Sequence, residues 1–141
     1  MKTRLTMVVA MAVLAMQFAQ SAEPAKKFRT EEQKIGYATK NLVVALQSTN
    51  TGVMESAMRV TAQMKMNHPS ADVSALVKAL NVIRQKNPSG TVRYKAYLAI
   101  SICENPEIFT GEKTLASAED KDFFKAASDR MREQLLSTNT Q

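Results

Sequence analysis

Two stretches of this chain repeat each other, which narrows its folds more than any single residue does. Leu42-Val43-Val44-Ala45-Leu46 recurs as Leu76-Val77-Lys78-Ala79-Leu80, and Val53, Ala57, Val60 and Met64 recur as Val92, Ala96, Ala99 and Cys103. Each unit reads as a pair of amphipathic helices with more apolar face than one pair can cover. Such units stack on one another, and a stacked array acts as a surface before it acts as a catalyst.

The first residues predict export. Lys2 and Arg4 form a positive n-region, an apolar stretch runs from Leu5 to about Ala19, and small residues Ala19, Ser21 and Ala22 precede Glu23-Pro24. That is the layout of a cleaved secretory signal, with cleavage after Ser21 preferred because Ala19 and Ser21 satisfy the small-x-small rule. The apolar run falls short of the roughly 20 residues of a comfortable span. The expected organisation is a signal peptide at 1–21, a short basic leader at 22–29 and one helical domain at 30–141, the mature protein lying free in the periplasm or secreted.

Losing Lys2 and Arg4 lowers the net charge from +6 to +4. The remaining excess is scattered and interleaved with acids, unlike the dense basic stripe with aromatic interleaving that nucleic-acid binders carry. Nucleic acid is therefore set aside as a partner. Once the signal is gone, nothing but the short leader Lys26-Lys27-Phe28-Arg29 would favour a membrane. A single cysteine, Cys103, excludes an internal disulfide. Helix packing must supply the stability.

The periodicity predicts five helices and no strand, an all-α fold. Thr30 with Gln33 is a capping box opening a helix to about Ser48, with Ile35, Ala38, Leu42, Val43 and Leu46 inward. A second helix spans about Gly52 to Met66, with Val53, Ala57, Val60 and Met64 read as its inward stripe. Ser70 is the expected cap of a third helix over Ala71 to Gln85, with Val73, Leu76, Val77, Leu80 and Ile83 inward. The fourth runs from the Asn87-Pro88-Ser89-Gly90 turn to about Cys103, where Asn105-Pro106 ends it. A Ser117-x-x-Asp120 box opens the last, to about Leu136, with Phe124, Ala127, Met131 and Leu135 along its seam.

The segment Val92-Arg93-Tyr94-Lys95-Ala96-Tyr97-Leu98-Ala99-Ile100 resembles the second-helix signature of HEAT repeats, in which a Val-Arg pair is followed by small and apolar residues at helical spacing. The first unit matches less well, with Met54 where the family has the Arg. This resemblance implies a short stack of antiparallel helical hairpins, a HEAT-like α-solenoid used as a binding scaffold, with units at approximately 30–66 and 70–103. It implies an Arg93 that bridges to an acid of the adjoining unit, and no catalytic residue. The offset between the matched segments shifts from 34 to 39, which predicts a loop about five residues longer in the second unit, at Arg84 to Ser89. Two units are fewer than stacked repeats usually need. A last helix at approximately 118–136 capping the second unit is one remedy, and a homodimer is another.

Chemistry-bearing residues are few. His68 and Cys103 are the sole His and the sole Cys, and neither a tetrahedral zinc site nor a glycine-rich phosphate loop nor a nucleophile elbow can be built from the rest. Cys103 occupies the repeat position of Met64, where a free thiol behaves as a small hydrophobe. An exported enzyme or redox protein using Cys103 is the alternative to a scaffold without catalytic activity, cofactor or metal. For the scaffold, the candidate contact residues for a protein partner are the exposed members of Met54, Met58, Arg93, Tyr94 and Tyr97. Methionine adapts to varied apolar partners, and Tyr and Arg dominate contact energies. Packing of the Met54–Met58 ridge against a neighbouring helix is the competing role. Lys65 and Lys86 read as solvated surface positions.

Overall fold

A computed structural model describes residues 30–109, 115 and 120–138. The proposed signal peptide, the basic leader and the Ser117 half of the last capping box lie outside these residues. The chain folds into α1 (Glu31–Leu46), α2 (Thr51–Asn67), α3 (Ser74–Lys86), α4 (Gly90–Glu104), a 3-10 turn (Pro106–Ile108) and α5 (Asp120–Thr138). No strand occurs among the described residues. The fold is all-α.

Most helix starts follow from a side chain that satisfies an otherwise unpaired backbone N–H. The Thr30 hydroxyl accepts from Gln33 N–H (3.2 Å), Asn50 Oδ1 from Val53 N–H (3.2 Å) and Ser89 Oγ from Val92 N–H (3.3 Å). The third start departs from the sequence expectation. Ser70 and Ala71 stay in the connecting turn, and α3 begins at Ser74, whose N–H goes to Asp72 Oδ1 (3.0 Å). That bond holds the Asp72 carboxyl below its usual range, since it is made to the charged form. Lys65 fixes the same turn by donating to the carbonyls of Pro69 (2.6 Å) and Ala71 (3.0 Å). It is therefore a loop staple, not a spare surface lysine.

The two connections α1–α2 and α3–α4 are nearly equal, Gln47 to Asn50 and Asn87 to Ser89. The longer second loop expected from the repeat offset is absent. The extra residues extend α3, which runs ten residues past Leu76, whereas α1 runs four past Leu42. The pentapeptide pair therefore sits at different depths in its two helices. Any amphipathic helix spaces its leucines alike, so that similarity cannot fix a register.

Packing joins α1 to α2, α3 to α4, α2 to α4 and α1 to α3, and α5 lies against both α2 and α4. The last helix thus packs on both α2 and α4. Phe123 and Phe124 are its anchors, both buried and in edge-to-face contact at 5.2 Å between centroids. Leu115 is fully buried beside it, and its carbonyl accepts from Gln63 Nε2 on α2 (3.0 Å). Arg130 on α5 holds the 3-10 turn through Ile108 O (3.0 Å).

The most enclosed element is α4, with seven of its fifteen residues buried: Val92, Ala96, Leu98, Ala99, Ile100, Ile102 and Cys103. Its stripe is as the sequence predicts. That of α2 is not. Its buried residues are Ala57, Met58, Thr61, Ala62 and Met66, while Val53 and Val60 stand 45% and 38% exposed. The core face of α2 is turned by about one residue, roughly 100°, from the predicted stripe.

Candidate interaction surface

The five candidate contact residues do not form one surface. Met58 is fully buried, so its place is in the core, where its flexible thioether fills space between helices. Met54 is half-buried, with its sulfur 3.8 Å from Asn87 Nδ2. Arg93 is also half-buried, and its guanidinium donates to the carbonyls of Asn87 (2.7 Å) and Pro88 (3.1 Å). Among the described residues Arg93 makes no ion pair with an acid of the kind the HEAT resemblance suggests. An ion pair between α4 and α2 joins Lys95 and Glu55, 2.7 Å apart and each about four-fifths buried. Lys95 also stands 5.3 Å from the centroid of the Phe124 ring.

Tyr94 and Tyr97 are the exposed members, at 49% and 41%. One turn of α4 places them on the same side, where their rings stack with centroids 6.3 Å apart. The Tyr94 hydroxyl shares a 2.8 Å hydrogen bond with Ser128 of α5, which fixes its ring against the α4–α5 junction. Tyr97 borders a cleft of about 240 Å³ whose apolar wall comes from Ile108, Phe109, Met131 and Leu135, with Ser101, Asn105 and Gln134 supplying polar atoms. Leu135, expected along a buried seam, is instead 61% exposed at its rim. Leu136 beside it is 63% exposed as well, so the last turns of α5 present apolar side chains to solvent.

A second concavity lies between α1 and α2, in two connected clefts of about 530 and 560 Å³ that share Leu42 and Val60. The residues Val53, Ala57, Val60 and Met64 line it. These are the stripe read from sequence as inward. The sequence carries the apolar stripe itself, but its exposure depends on which helices lie beside α2, and the pattern alone does not carry that.

Neither concavity assembles a reaction centre. Cys103 is buried, and burial pushes its thiol up to about 12, against a smaller opposite pull from Lys65. A thiol held neutral at physiological pH is a poor nucleophile. His68 follows the end of α2, where its N–H closes on Met64 O (2.9 Å). Among the described residues no group of three His, Cys, Asp or Glu could hold a metal ion, and no helix is long and apolar enough to cross a membrane. Comparison with protein-family models, with curated proteins and with solved structures finds no match to this chain.

Proposed function

We propose that this protein is an exported helical scaffold of HEAT type that acts by contact with another protein and catalyses no reaction. The observation that carries the reading is the stacked, half-exposed Tyr94–Tyr97 pair at the mouth of the apolar α4–α5 cleft. Aromatic rings with fixed positions lose little freedom on binding and present large apolar area with a polar tip, which is the composition of contact hot spots. The packing of α2 on α4 and of α1 on α3 supports a stack of helix pairs, and the layout of residues 1–21 supports export. The alternative, an exported enzyme or redox protein using Cys103, has the buried and neutral thiol against it.

Photo-cross-linking in the producing cell tests this reading. A photoreactive residue replacing Tyr97 is expected to give a discrete heavier adduct with a second protein, while the same residue replacing Lys78, exposed on α3, gives none. Identical behaviour at the two positions would remove the Tyr94–Tyr97 surface as a contact site.

A further inference from the structure

The internal repeat exposes an asymmetry. Val92 and Ala99 on α4 are 3% and 0% exposed, because α4 is flanked by α2, α3 and α5. Their counterparts Val53 and Val60 on α2 are 45% and 38% exposed. α2 has α1 on one side of this stripe and, among the described residues, nothing on the other. Ala57 is buried like its counterpart Ala96, so the opening is at the two valines.

We infer that the open α1–α2 face pairs with the same face of a second copy of this chain, α2 against α2 across a two-fold axis. Three observations select that occupant. Apart from His68 at one end, no residue lining the groove can carry a charge, whereas the chain as a whole is net positive. Two copies therefore meet here without like-charge repulsion, although the chain carries a net positive charge. The stripe is also self-complementary. With two α2 helices antiparallel about a point midway along Val53–Met64, Val60 of one copy lies over Ala57 of the other, and Met64 lies over Val53, large on small at both places. Finally, the pairing turns two stacked helix pairs into four, which repairs the shortness of the array.

The area sets the strength. Two helices about 25 Å long and about 10 Å apart present roughly 500 Å² per copy, about 1,000 Å² in all, the lower end for specific association. The dimer is weak and reversible.

Sedimentation of the purified protein from about 1 µM to about 300 µM tests this, with circular dichroism confirming the helical content of each variant. The expected result is a concentration-dependent monomer–dimer equilibrium in the parent and in Val82→Glu, a change on exposed α3 outside the groove. Val60→Glu and Val53→Glu are expected to stay monomeric and folded, at least tenfold weaker in self-association. A parent that remains monomeric overturns the inference, whether the groove stays empty or takes a helix from a different protein. So does a dimer that survives both glutamates, or loss of helix in both, which would make the stripe core. The scaffold reading fails separately: adducts at position 97 with a monomeric parent keep it, and a dimer without such adducts removes it.

Discussion

Cys103 is buried on α4, and its burial has a measurable consequence. Because the folded state holds a thiol proton up to about pH 12 that the unfolded chain releases in the usual thiol range, the stability is constant below that range and falls as pH rises through it. A shift of this size corresponds to about 4 kcal/mol at the alkaline limit. Denaturant unfolding of the parent and of Cys103→Ala between about pH 8 and pH 11 is expected to show a steeper alkaline loss in the parent, by up to about 1.4 kcal/mol per pH unit. Equal slopes would mean that the thiol is not held neutral by the fold. Other residues were harder to read. Lys65, Arg93 and Met58 are chemically ordinary in sequence, yet two of them tie down loop carbonyls and the third is core. Long flexible side chains reach whatever unpaired carbonyl the tertiary fold leaves within range, and that is not a local property.

At the scale of the helix, local chemistry was legible and rotation was not. The caps at Thr30, Asn50 and Ser89 need only a short polar side chain and a backbone N–H three residues on. The rotation of α2 depends on which neighbours surround it, and apolar residues cover most of its circumference. Met54, Met58 and Ala62 compete with Val53, Val60 and Met64 for the inward position. Met58 and Ala62 are fully buried, while Met54 and Met64 are both half-buried. The resulting difference between equivalent positions can be measured. Ala96 is fully enclosed, so Ala96→Leu is expected to overpack and destabilise by about 1–3 kcal/mol. Ala57 borders the open groove, so Ala57→Leu in dilute solution is expected to cost clearly less. Chemical denaturation of both variants checks this, and equal losses would show that the α1–α2 face is closed.

For the molecule as a whole, α4 is the axis around which the rest is arranged. It packs against α2, α3 and α5, carries the ion pair to Glu55 and lies under the Phe123–Phe124 anchor. Its backbone can open only when those contacts are lost together. Native-state hydrogen exchange is accordingly expected to find the slowest amides in the centre of α4, exchanging at the free energy of global unfolding. The last turns of α5, where Leu135 and Leu136 are more than half exposed, exchange through local fraying at much lower cost. Slower exchange in α1 than in α4 would contradict this arrangement. Among the described residues two buried hydroxyls, those of Thr39 and Thr61, have no hydrogen-bond partner, each a cost set against the packing around it.

The sequence by itself determined the class of fold, five helices with no strand among the described residues, and the positions of three helix starts. It also determined the buried stripes of α3 and α4. These follow from interactions within one turn of chain or from a periodicity that only one face can satisfy. The tertiary structure alone decided that α5 packs on both α2 and α4, that α3 and not the loop after it is long, and that the valine stripe of α2 faces an open groove. Burial is a relation between elements. Two similar stripes differ in exposure when one is flanked by helices on both sides and the other, among the described residues, on one side only.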